Sequence, residues 1–212
     1  MIHYKNEGNL FYSISMSLEL IIGPMYAGKS SYLLSLISKY EAIGWKILTL
    51  TSTLDTRYEK DAVHSHNHAR HDAVAVSYLG EAVANDAYAA AKLILIEESQ
   101  FFEDLVPFVL RAVEVEGKHL VVVGLSGDFN RKPFGHTLEL IPFCDRITKL
   151  TALCRLCGDG TPALFTHRTS KETSVIAVGA AEAYDALCRK HYHMNLELRK
   201  LKELSYSSVN SS

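Results

Sequence analysis

One segment constrains this chain more than any other: the apolar run LELIIG, Leu18 to Gly23, followed at once by Pro24, Met25, Tyr26, Ala27, Gly28, Lys29 and Ser30. A short apolar run ending in glycine reads as a strand buried on both faces. The overlapping pattern G-x-x-x-x-G-K-S calls for small residues, so that backbone N–H groups can face phosphate oxygens. In such a loop the lysine reaches the terminal phosphates and the serine ligates Mg²⁺. After it, Leu33, Ile37 and Tyr40 recur at helical spacing, Leu34 and Leu36 widen the apolar face, and Gly44 ends the run. Strand, phosphate loop and helix in this order are the start of an α/β protein that binds a nucleoside triphosphate.

The pattern continues. KILTLTS (46–52), AVAVSYL (73–79), KLILIEE (92–98) and HLVVVGL (119–125) read as further strands, and 81–91 and 102–116 as helices. Alternation of this kind implies βαβ units and a mainly parallel sheet. The polar stretch 54–72, with His64, His66, His68 and His71, reads as a long functional or solvated loop whose spacing matches a metal site only loosely.

Composition narrows the partners. Net charge is −2, with Lys and Arg scattered, which argues against a polyanion as main partner. No apolar run approaches the ~20 residues that cross a bilayer. Residues 1–15 lack the compact apolar core and small-residue cleavage site of a signal peptide, so cytoplasmic residence is expected. Four cysteines in a reducing compartment favour metal binding over disulfides.

Two constellations add chemistry. Glu97 and Glu98 end a buried strand, where a carboxylate completes the Mg²⁺ site of a phosphate loop. Cys154-x2-Cys157 is followed by Cys188-x2-His191, and two short-spaced ligand pairs match a tetrahedral structural Zn²⁺ site. His193 is a competing ligand by reach, and Cys144 is left as a buried thiol. The organisation expected is a flexible leader (1–16), a nucleotide-binding α/β domain (17–149), a small zinc-stapled domain (150–192), and a helix end with a disordered tail (193–212). The segment from Glu182 to Arg189 is expected to be helical.

Taken together, GPMYAGKS (23–30), DTRY (55–58), EESQFF (97–102), GDFNRKPFG (127–135), KLTALCRLC (149–157) and AYDALCRKH (183–191) resemble the type II thymidine kinases over about Leu18 to Tyr192. The resemblance implies a RecA-like parallel sheet flanked by helices, with a zinc-binding lasso domain that closes over the nucleoside. It implies transfer of the γ-phosphate of ATP to thymidine, with Glu98 as general base on the 5′-hydroxyl. Asp55, Thr56 and Arg57 would lie near the phosphates and sugar, and Glu97, Ser99 and Gln100 would border the nucleotide. Phe129 would stack on thymine. Tyr184 and the stretch Val175, Ile176, Ala177, Val178 and Gly179 would form the lasso.

The resemblance also implies feedback by dTTP and a homotetramer or homodimer. The chain departs from the family pattern at Glu97 (commonly Asp), Ser99 (commonly Gly), Ser126 (commonly Asp) and His191 (commonly Cys). A deoxynucleoside kinase of broader specificity, a nucleic-acid-stimulated ATPase and an inactive nucleotide-binding partner remain as alternatives. Nucleic-acid binding is not expected, because the basic residues of 150–192 are spread out and partly offset by acids.

Overall fold

The computed structural model describes residues 16–54, 62–64, 70–170, 183–195 and 197. Its centre is a six-stranded sheet of β1 (Ser17–Gly23), β2 (Ile47–Ser52), β5 (Val74–Val76), β6 (Leu93–Ile96), β7 (His119–Leu125) and β8 (Arg146–Lys149). The spatial order is β5-β2-β6-β7-β1-β8, and every neighbouring pair is parallel. In the chain, an antiparallel pair separate from this sheet, β3 (Ala62–His64) with β4 (Arg70–Asp72), comes between β2 and β5.

The continuous apolar runs follow from burial on both faces of this sheet. Alternate residues diverge: Leu18, Leu20, Ile22, Leu48, Leu50, Ile94, Ile96, Leu120 and Val122 join one cluster, with Phe102, Leu105, Phe108 and Val109. Ile21, Leu93, Leu95, Val121 and Val123 face the other way, onto Leu33 and Ile37 of helix α1 (Lys29–Glu41). Because all six strands run the same way, their C-terminal ends share one edge of the sheet. That edge receives the phosphate loop, Glu97 and Glu98, and the turn after β7.

Several local elements differ from expectation, and the stretch 54–72 expected as a loop carries the β3–β4 pair. The strand expected over 73–79 is only Val74–Val76, because Asp104 accepts hydrogen bonds from the amides of Leu79 (3.1 Å) and Gly80 (2.9 Å) and starts a 3₁₀ turn, Leu79–Ala84. Helix α2 (Asp86–Ala90) follows, capped by the Asn85 side chain. The helix expected over 102–116 is α3 (Leu105–Leu110), which widens into a π turn at Arg111–Val115.

Another difference matters more. Where a helix is expected over 182–189, Tyr184–Leu187 is strand β12, antiparallel to β11 (Phe165–Arg168), and helix starts only at Arg189. Helical propensity is a weak prior, and pairing with β11 together with burial of Tyr184, Ala186 and Leu187 overrides it. A second ribbon, β9 (Ala152–Leu153) with β10 (Pro162–Ala163), lies beside it, and residues 189–195 are helical. Cys154, Cys188, Ala163, Leu187 and Tyr192 form a small core there, with Ala27 of the phosphate loop packed against it. No helix among the described residues is long and apolar enough to cross a membrane.

Candidate active site

The phosphate loop turns sharply after β1. Tyr26 (φ 63°) and Gly28 (φ 76°) are both left-handed, and alternation of this kind points successive amides into one concavity. The Ala27 amide donates to the Pro24 carbonyl at 3.4 Å, and Lys29 Nζ donates to the same carbonyl at 2.9 Å. Ser30, in the first turn of α1, donates from Oγ to Glu97 Oε1 at 2.5 Å. Glu97 therefore reaches the serine directly. A hydroxyl and a carboxylate this close are hard oxygen donors of the kind that suit Mg²⁺.

The next residue points elsewhere. Glu98 takes φ 51°, so the chain reverses at the end of β6 and both acids stay at the sheet edge, each 7% exposed. Gln100 Nε2 donates to Glu98 Oε2 at 2.5 Å, while Gln100 Oε1 accepts from the Leu125 amide at 3.1 Å. Gln100 thus ties Glu98 to the end of β7.

Ser99 shares a hydrogen bond with Thr137 (2.8 Å), and a Cβ on Gly124 would stand 2.3 Å from Ser99 Oγ. Ser99 has room because residue 124 is glycine. At Gly135 (φ 56°) a Cβ would stand 2.2 Å from the Gln100 carbonyl oxygen. Gly135→Ala is expected to destabilise the fold by about 2–3 kcal/mol through overpacking, which a thermal melt would read as a drop of several degrees. An unchanged melt would show that this turn yields freely.

A cleft of about 340 Å³ opens beside this turn, lined by Thr53, Leu54, Tyr78, Gln100, Phe101 and Phe134 among others. Phe101 and Phe134 meet edge to face, with centroids 5.7 Å apart. After β7, Asp128 accepts from the amides of Asn130 and Lys132 (2.8 Å each), closing the turn that carries Phe129. Arg168 lies 1% exposed with its guanidinium 4.1 Å from the Phe129 ring centre and 4.9 Å from that of Tyr184, whose hydroxyl it also hydrogen-bonds.

The four expected zinc ligands come together. Cys154, Cys157, Cys188 and His191 place their ligand atoms within 4.8 Å of one another. His191 Nδ1 stands 3.5, 3.3 and 3.5 Å from the sulfurs of Cys154, Cys157 and Cys188, and Cys157 and Cys188 are 3.8 Å apart. Tetrahedral bonds of ~2.3 Å to sulfur and ~2.0 Å to nitrogen give edges of about 3.8 and 3.5 Å, so the cluster suits Zn²⁺. Burial disfavours charge on Cys154, yet the amides of Cys188, Cys157 and Leu156 and the His191 ring hold its thiol down to about 6.

A core this small is stabilised by such a staple. Metal analysis is expected to find about one zinc per chain, and Cys188→Ser to lose it along with the melting cooperativity of the ribbons. A zinc-free chain with intact ribbons would contradict the assignment. Cys144 lies apart, half-buried against the Ile141 carbonyl, and burial pushes its thiol up.

Several contacts carry no local sequence signal. Thr166 Oγ1 accepts from the Met25 amide at 3.0 Å, joining the phosphate loop to β11 across 141 residues. Gln100, Arg168 and Tyr192 are also placed by tertiary contacts. Asp55, Thr56 and Arg57, the stretch Val175 to Gly179, and His66 and His68 lie outside the described residues, as do the leader to residue 15 and residues 198–212 of the expected tail.

A parallel sheet with this loop after β1, two carboxylates after β6 two strands away, and a Cys3His unit whose core packs on Ala27 define a P-loop nucleotide-binding protein with a metal-stapled appendage. The family described as "Thymidine kinase" matches residues 16–192. "Thymidine kinase a" of Arabidopsis thaliana is 40% identical over 184 residues, covering 85% of this chain and 76% of its own length. "Thymidine kinase" of Myxoma virus (strain Lausanne) is 37% identical over 178 residues, 82% of this chain and 95% of its own. That of Vaccinia virus (strain Western Reserve) is 35% identical over 175 residues, with 82% and 96% covered. The chain belongs to the thymidine kinase family, and so is an ATP-dependent phosphotransferase.

Proposed function

We propose that this chain transfers the γ-phosphoryl group of ATP to the 5′-hydroxyl of thymidine, giving dTMP and ADP for pyrimidine deoxynucleotide salvage. The observation that carries this reading is the convergence of Lys29, Ser30, Glu97 and Glu98 at one sheet edge, with Ser30 on Glu97 and Gln100 on Glu98. Amides of the loop from Gly23 to Ser30 cradle the phosphates, and Lys29 neutralises charge on the terminal ones. Ser30 and Glu97 would hold Mg²⁺, which screens the oxygens of the transferring group.

Glu98 accepts the proton of the 5′-hydroxyl as the new O–P bond forms and the bond to ADP breaks. Gln100 fixes the carboxylate for that transfer. Phosphoryl transfer depends mainly on positioning and charge stabilisation, so a carboxylate locked by its neighbour is what the step requires. The family reading assigns Asp55, Thr56 and Arg57 to the phosphates and sugar, Phe129 to stacking on the base, and Tyr184 with Val175 to Gly179 to covering it, which excludes water that would hydrolyse ATP.

The same family reading carries feedback by dTTP, a homotetramer or homodimer, residence in the cytoplasm, and a division into nucleotide-binding (17–149) and lasso (150–192) domains. A nucleoside panel with dTTP as competitor tests it. Thymidine should be the preferred acceptor, with dTTP inhibiting in competition with it. Equal rates across purine and pyrimidine nucleosides would overturn the specificity.

A further inference from the structure

We infer that Tyr192 and Arg168 are positioning residues that hold Phe129 in place for the acceptor, so that the zinc-stapled region bears on nucleoside affinity through that ring. This rests on the reading that Phe129 meets the base. Tyr192 directly follows the ligand His191 in the chain and is 1% exposed. Its hydroxyl donates to the Phe129 carbonyl at 2.6 Å. Its ring packs tilted on Phe165 (5.2 Å), edge to face with His167 (6.2 Å), and under the Arg131 guanidinium (4.6 Å). Backbone and ring of Phe129 are therefore held from two directions, the carbonyl by Tyr192 and the face by Arg168 at 4.1 Å.

The choice of side chains points the same way. Burying an arginine costs far more than burying a leucine of similar volume. A leucine beside Phe129 would fill space without fixing a ring plane, whereas a planar guanidinium lies flat on the aromatic face. Tyr184, bonded to the same guanidinium, comes from β12, whose next residues lead directly into Cys188 and His191. Both holders of Phe129 thus belong to the ribbons and short helix closed by the metal cluster, whose core also packs on Ala27 of the phosphate loop. A second link to that loop is the bond from the Met25 amide to Thr166 Oγ1.

Steady-state kinetics on the full zinc-loaded chain separate these roles. Tyr192→Phe keeps the ring and its packing but removes the bond to Phe129. It is expected to raise KM for thymidine about tenfold, the scale of one lost hydrogen bond. KM for ATP, kcat at saturating thymidine and zinc content should stay within about twofold of wild type. Arg168→Lys retains the charge without the planar stack and should shift the same parameter.

In a Phe129→Ala background, Tyr192→Phe should add nothing further, as expected for residues acting through one group. Additive effects in that cycle, or an unchanged thymidine KM in both single variants, would overturn the inference while leaving the kinase reading intact. Loss of zinc with both KM values raised together would also overturn it, in favour of a purely structural role. A wild-type chain that fails to phosphorylate thymidine would instead defeat the proposed function, and this inference with it.

Discussion

Glu98→Gln is expected to lower kcat for nucleoside phosphorylation by about 10²–10³-fold, the range of a removed general base. The lower part of the usual range is expected because the transferring group leaves in a loose transition state that needs only modest help from the nucleophile. ATP affinity, read by fluorescence or calorimetric titration, should hold within about twofold, because the loop amides, Lys29 and Ser30 remain in place. Glutamine matches glutamate in shape, but its amide cannot accept the hydroxyl proton as a carboxylate does. It also presents N–H groups toward the Gln100 Nε2 that now donates to Glu98 at 2.5 Å. Unchanged turnover would remove Glu98 as the base.

Lys29→Met should be comparably severe but divide differently between binding and chemistry. The side chain loses its charge and keeps roughly its length, so the loop can still close. What disappears is the cation over the β- and γ-phosphates, and with it about 10²–10³-fold in kcat/KM for ATP, the scale of one lost transition-state donor in a water-excluded site. Zinc content should be unaltered and the melting temperature nearly so, since Lys29 is not among the four zinc ligands and belongs to none of the three apolar clusters. A fall in kcat/KM for ATP of less than about fivefold would show that the backbone amides alone neutralise the phosphates.

The legible part of this chain was the part governed by local pattern. Apolar runs such as Leu93–Ile96 declare a strand buried on both faces, and they lie in the sheet at 0% exposure. Ser30 and Glu97 are 67 residues apart, yet each marks its own place, one after a phosphate loop and one at a strand end. The Cys and His pairs were legible for a similar reason: ligand spacing is dictated by bond geometry, and short spacings survive in sequence.

What stayed hidden depends on contacts between distant segments. Tyr184–Leu187 lies in the stretch 182–189 expected to be helical and becomes a strand because Phe165–Arg168 offers it an edge. Arginine is ordinarily exposed, so a buried Arg168 between two rings has no local signature. Gln100 looks like an ordinary polar residue in a turn, and only the approach of Leu125 reveals it as the brace of Glu98. The allowance for Ser99 is also non-local, since the space it fills is set by Gly124 on the neighbouring strand.

The most direct measurement follows the label from γ-labelled ATP incubated with the zinc-loaded chain, Mg²⁺ and thymidine. The expected result is label at the 5′ position of dTMP, formed in step with ADP and dependent on thymidine. Label released as inorganic phosphate, at a rate raised by single-stranded DNA and indifferent to thymidine, would contradict it.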